Sequence, residues 1–244
     1  MRDALKDIVQ HTHSLGNINL VKVVGDQNTT VINAIADDKS VILEAEFHAP
    51  IPEFIGIFGM PNLSKLKFIL DIPEYAENAA INISTQQDSQ GNTVPSGLEF
   101  ANKTGDFKNY FRFMLANIIA EKLKTVKFRG ANWDVEVQPS VNSIQRFKFQ
   151  SQAHNEETSF VAETRNMNLE FNFGNRGSHA GNFVFADAVS GKLTAGHTWP
   201  VAVFQSIFQL PGDKTLRFSD QGAAQITVDS GLALYTYTIP ALTK

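Results

Sequence analysis

Pro50-Ile51-Pro52-Glu53-Phe54-Ile55-Gly56-Ile57-Phe58-Gly59-Met60-Pro61 returns, altered, as Pro200-Val201-Ala202-Val203-Phe204-Gln205-Ser206-Ile207-Phe208-Gln209-Leu210-Pro211. Pro, Phe, Ile, Phe and Pro recur at equal spacing, and Ile51/Val201 and Met60/Leu210 are apolar matches. The echo continues: Leu66-Lys67-Phe68 is answered by Leu216-Arg217-Phe218, and Ala79-Ala80-Ile81-Asn82-Ile83 by Ala223-Ala224-Gln225-Ile226-Thr227. Self-similarity on this scale predicts two copies of one structural unit. Each copy of the run reads as a short helix entered at a proline, whose missing N–H costs nothing there. Phe54, Ile57 and Phe58, like Phe204, Ile207 and Phe208, stand at i, i+3, i+4 and form an apolar stripe for the core. A second proline closes each run.

Composition supports two domains. A chain of 244 residues suits two units of about 120 each. Its 43% hydrophobic content, with 19 phenylalanines, can fill two cores. The absence of cysteine excludes a disulfide framework, a thiol nucleophile and a Cys-ligated zinc. No apolar run is long enough to span a bilayer and the N-terminus lacks a signal-peptide core, so a soluble, cytoplasmic protein is expected. Net charge is −4, so any anionic partner must be met by local patches.

Taken in order, residues 1–15 form an amphipathic helix with Ala4, Leu5, Ile8, Thr12 and Leu15 on one face and Arg2, Lys6 and His13 on another, stopped by Gly16. Strands are expected over 20–25, 30–36 and 41–48, then the first repeated helix, then strands over 66–72, 79–85, 98–102 and 108–115. In 117–131, Lys122, Lys124, Lys127 and Arg129 alternate with Leu123, Val126 and Phe128, which reads as a partly extended linker. The domains are therefore 1–116 and 132–244. In the second, a strand over 133–137 leads to a helix capped by Ser140, with Val141, Ile144 and Phe147 on its buried face. Strands follow over 159–162, 168–173, 182–188 and 192–195, then the second repeated helix, then strands over 215–219, 223–228 and 232–239. Each unit is helix, three strands, helix, three or more strands, in largely antiparallel sheets. The fold class is α+β.

No constellation supports catalysis. There is no nucleophile elbow, Walker-type loop or His-Glu-x-x-His motif. The glycine-rich run 174–181 precedes no helix that could hold a phosphate. His11 and His13 sit on different helix faces, which argues against a shared metal. No cofactor or metal is expected, and the protein reads as a non-enzyme.

A duplicated, cysteine-free unit of two helices and antiparallel strands resembles the DNA sliding clamps, the polymerase processivity factors, and in particular those of T-even-type phages. The helix over 5–15, Gly16-Asn17-Ile18-Asn19-Leu20-Val21-Lys22 and Asn28-Thr29-Thr30-Val31-Ile32-Asn33-Ala34-Ile35 carry the resemblance best. Tyr235-Thr236-Tyr237-Thr238-Ile239-Pro240-Ala241 is similar to the final strand and proline of the cellular trimeric clamps. The resemblance implies a homotrimeric ring, closed head to tail, that encircles double-stranded DNA without reading sequence. It also implies a replicative DNA polymerase held at the primer end, an ATP-dependent clamp loader, and no membrane. The DNA-facing residues it implies are Arg2, Lys6 and His13 on the first helix and Arg146 and Lys148 on its counterpart. The subunit seam would lie along 108–115, with Lys108, Tyr110 and Arg112, and along 183–189, with Phe183 and Phe185. A partner-peptide pocket would take Leu123, Val126, Phe128, Tyr237, Ile239, Pro240 and Leu242. The chain departs from the family in that neither repeated run carries Lys or Arg. The alternative is a ring-forming phage structural protein of the tail or baseplate type. If the source is viral, the site of action is the host cytoplasm.

Overall fold

Two glycines decide how the first copy of the repeat folds. Glycine disfavours a helix interior by about 1 kcal/mol relative to alanine, and Gly56 adopts a left-handed φ of 97°. In the second copy the matching positions are Ser206 and Gln209. Accordingly, in the computed structural model, which describes residues 1–88, 90–123, 128–177 and 179–242, Gly56–Pro61 is a strand and only Val201–Phe208 is a helix. The helix of the first unit begins after Pro61, at Leu63–Leu70. Its buried residues Leu63, Leu66, Ile69 and Leu70 have the same spacing as Val201, Phe204, Ile207 and Phe208. The duplication is present, but its register sets Asn62 against Pro200, the residues that precede the two helices. The expected helix over 50–61 and strand over 66–72 are both corrected by this shift.

The chain divides into two compact units. Unit 1 comprises Met1–Lys127 with Ser230–Tyr235, and unit 2 comprises Phe128–Asp229 with Thr236–Lys244. In unit 1 the order is α1 (Arg2–His11), β1 (Leu20–Gly25), β2 (Thr30–Ile35), β3 (Ile42–Phe47), β4 (Gly56–Pro61), α2 (Leu63–Leu70), β5 (Ala80–Gln87), β6 (Thr93–Ala101), β7 (Lys108–Arg112), β8 (Met114–Leu115) and α3 (Ala116–Lys122). In unit 2 it is β9 (Val135–Val137), α4 (Val141–Ala153), β10 (Ser159–Arg165), β11 (Asn168–Gly174), β12 (Ala180–Ala186), β13 (Thr198–Pro200), α5 (Val201–Phe208), β14 (Asp213–Ser219) and β15 (Ala223–Asp229). The last strand, β16 (Ala233–Pro240), gives its head to unit 1 and its remainder to unit 2.

The two topologies match. Strands run β4-β1-β2-β3 in unit 1 and β13-β10-β11-β12 in unit 2, all antiparallel, and β5-β6-β7 is answered by β14-β15-β16. Alternate burial along β1, β2 and β11 shows one face turned to a core. In unit 1 that core joins Val21, Val23, Ile32 and Leu43 to Leu5 and Ile8 of α1 and Leu66 of α2. Phe58 stacks on Phe113 at 4.3 Å. In unit 2 Phe147 of α4 sits within a ring cluster with Phe160, Phe171, Phe173, Phe204 and Phe208.

Three more expectations are corrected. The start of the proposed linker is helix α3, because Ile119 is fully buried and packs over Gly59. Residues 192–195 form no strand: the N–H groups of Thr194 and Ala195 donate to the Asp220 carboxylate at 2.9 and 3.1 Å instead of a ladder. Val141 lies on the exposed side of α4, at 75% of its free surface, while Phe147 is buried as expected. Ser140 is the N-cap, its Oγ accepting from the Ser143 N–H at 3.0 Å. Among the described residues no helix is long and apolar enough to cross a membrane.

Candidate nucleic-acid interface

Helix α1 is buried on more than one side, and this sorts its charged residues. Leu5, Ile8, Val9 and Thr12 face the core. Asp7 and His11 are buried too: Asp7 Oδ2 accepts from the Tyr235 hydroxyl at 2.7 Å and the Ser230 hydroxyl at 3.0 Å, and the His11 ring lies 3.2 Å from Oδ1. That ring stacks on Tyr235 with centroids 4.4 Å apart. Burial pushes the Asp7 carboxyl up, but hydrogen bonds from His11 and Tyr235, the charge of His11 and the Ser230 hydroxyl outweigh it, and the pKa ends below 3.8. Asp7→Ala is expected to lose about 2–3 kcal/mol of stability at neutral pH, since it leaves buried donors unpaired. A depressed carboxyl contributes fully above its unfolded pKa and loses that contribution as pH falls through the folded one. The gap between wild type and variant in urea titrations should therefore be widest above pH 4 and narrow in stronger acid.

Arg2 is held by the protein itself. Its guanidinium donates to the carbonyls of Leu70, at 3.1 Å, and Ala76, at and beyond the C-terminal end of α2, where a cation satisfies orphan acceptors. Lys214 does the same for α5, donating to Leu210 O at 2.5 Å and Gly212 O at 2.9 Å, and burial lowers its pKa. Arg2 is thus corrected from DNA-facing residue to a clasp between α1 and α2. His13 is half-buried, with its ring nitrogen 3.0 Å from Asn19 Oδ1.

Lys6 remains exposed. It lines a groove of about 270 Å³ between α1 and α2 together with Gln10, Lys67 and Asp71. Lys67 pairs with Asp71 at 2.9 Å, both half exposed. Lys65 and Lys67 were missed from sequence because the misplaced helix left Lys67 in a strand and Lys65 just ahead of it; the signal was Leu63, Leu66, Ile69 and Leu70 at helical spacing. In unit 2, Arg146 and Lys148 are exposed on α4, flanking the buried Phe147. The structure thus brings Lys6 and Lys67 to one groove of unit 1 and places Arg146 and Lys148 on one helix of unit 2. Among the described residues no cluster of side chains could hold a metal.

No protein-family model and no curated protein matches the sequence. Solved structures do match in shape. The chain superposes on PCNA from Thermococcus kodakaraensis with a TM-score of 0.69 at 13% identity, covering 98% of this chain and 97% of that one. A. fulgidus PCNA bound to the C-terminal region of FEN-1 gives 0.70 at 9% identity, over 100% and 97%. Proliferating Cellular Nuclear Antigen from Entamoeba histolytica gives 0.68 at 9%, over 98% and 94%. The fold is the DNA clamp fold.

Within this clamp fold, the expected seam strands are open edges. β7 pairs with β6 alone and β12 with β11 alone among the described residues. Lys108, Tyr110 and Arg112 project from the exposed face of β7. Met114 and Leu115 do not belong to that edge, since they form β8 against β4. Phe185 is corrected from seam to core: it is 2% exposed and stacks on Phe171 at 4.3 Å, whereas Phe183 is half-buried. The expected peptide pocket is also revised. Tyr237 and Ile239 are fully buried, because alternate side chains of β16 point into the core, and cannot anchor a docked peptide. Leu123 and Phe128 are half-buried, and Pro240 and Leu242 are exposed. Val126 lies outside the described residues.

Proposed function

We propose that this chain is a sliding clamp: three copies close head to tail into a ring around duplex DNA and tether a replicative DNA polymerase. The observation that carries the reading is the match to PCNA structures over nearly the whole of both chains. The open edges of β7 and β12 supply the seam, since unpaired strand edges invite pairing with another chain. Lys6, Lys65, Lys67, Arg146 and Lys148 supply sequence-independent attraction to phosphate. The protein's part is topological and non-catalytic, and an ATP-dependent loader opens the ring. We place it with the T-even-type phage clamps on the run 5–35, which implies action in the host cytoplasm. Partner tails dock near Phe128, Pro240 and Leu242, by analogy with the A. fulgidus protein, which binds the C-terminal region of FEN-1.

Light scattering tests the assembly. The expected particle is about 81 kDa, three times 26.9 kDa, falling toward the monomer on dilution as mass action requires. A dimer that persists at high concentration contradicts the ring.

A further inference from the structure

Two helices carry the same short pattern. Lys65-Leu66-Lys67-Phe68 on α2 and Arg146-Phe147-Lys148-Phe149 on α4 each read cation, apolar residue, cation, phenylalanine. Their burial also agrees: the second residue of each is buried and the other three are exposed. Phe68 keeps 73% of its free surface and Phe149 64%. With 3.6 residues per turn, each exposed ring stands opposite the buried side chain two positions before it. One cation lies a turn behind it on the same side at i−3, and the other about 100° around the helix at i−1. Neither helix contains a carboxylate, although the whole chain is net acidic. Asp71, the residue that ends α2, pairs with Lys67 at 2.9 Å, and with both side chains about half exposed the pair contributes little. The pattern is not a relic of the duplication, because α2 aligns with α5, which has no cation.

A lone exposed phenylalanine needs no explanation. A phenylalanine flanked by cations on a helix that itself contains no carboxylate, twice over, has the chemistry of a stacking platform for nucleobases with phosphate contacts beside it. Bases inside a duplex are stacked on one another and present no free face, so unpaired bases are the fitting ligand. We propose that the protein binds single-stranded DNA, with bases stacking on Phe68 in unit 1 and on Phe149 in unit 2. Each site is complete within its own unit. The inference rests on the reading that these helix faces meet DNA, and adds that they grip unpaired strand as well as duplex.

The test is fluorescence anisotropy at low salt with a labelled single strand and a labelled hairpin duplex of the same composition. Phe68→Ala with Phe149→Ala should weaken single-strand binding roughly 5- to 100-fold, the range expected for loss of base stacking, and leave duplex binding within about twofold. Phe→Leu, which keeps apolar bulk without a ring face, should lose as much, and Phe→Trp should retain binding. A 2-aminopurine base in the strand should be quenched by wild type and not by the leucine variant, which also guards against misfolding of the alanine variant. Wild type that binds duplex but not single strand overturns the stacking proposal and leaves the clamp reading standing. Equal loss of duplex and single-strand binding in the variants also overturns it. Binding of neither nucleic acid overturns the stacking proposal too, and leaves the clamp reading, which needs an opened ring, to be tested by cross-linking on circular DNA.

Discussion

Phe147→Ala lowers the stability of unit 2 by about 3–5 kcal/mol, the usual result of emptying a phenylalanine site in a packed core. The side chain is 1% exposed, with ring centroids of Phe160 at 5.2 Å, Phe208 at 5.3 Å, Phe173 at 5.8 Å, Phe171 at 6.0 Å and Phe204 at 6.5 Å. These rings come from β10, β11 and α5, so the cavity loosens the helix pair and the sheet together. Collapse is hindered because each neighbour is itself held by further aromatic contacts, as Phe171 is by Phe185 and Phe204 by Phe218. A loss of this size approaches the whole stability of many domains. Phe149→Ala, two residues along the same helix, removes a side chain that packs little and should change stability by about 0.5 kcal/mol or less. Urea titrations of both variants read the contrast. A loss below about 1 kcal/mol for Phe147→Ala would mean that the ring cluster is not the core of unit 2.

That core was legible in the sequence. Helical spacing placed Phe147 on the inner face of α4, and Ser140 announced its start. The face of α1 followed from Leu5, Ile8 and Thr12, and the alternation of strands and turns gave the antiparallel order. The repeat was real but its register was not readable from matching residue types alone. Phe54, Ile57 and Phe58 fit a helix as well as Phe204, Ile207 and Phe208 do; Gly56 and Gly59 turned the first run into strand. That single slip hid Lys65 and Lys67, two of the five cations proposed to meet phosphate. Tyr237 and Ile239 read equally well as docking residues or as core, and only their burial decides. The Asp7–Tyr235 hydrogen bond joins residues 228 positions apart, beyond the reach of any local pattern. Arg2 looked like a free cation because the carbonyls it caps belong to another helix.

Encirclement of DNA is a topological property, and the lack of native cysteine makes it directly testable. A cysteine at Lys108 or Arg112 on β7, combined with one at Asn182 or Val184 on β12, uses exposed positions on the two open edges. Disulfides form only when Cα atoms approach within about 7 Å, so the pair that cross-links reports the seam register. Reduced protein, diluted to the monomer, is mixed with closed-circular plasmid, concentrated so that subunits assemble around it without a loader, oxidised, and then denatured in detergent. A ring around the duplex gives a covalent trimer that stays with circular DNA through denaturation and is released completely by linearising the plasmid or reducing the disulfides. A covalent trimer recovered equally from circular and linear DNA, or from neither, would contradict it.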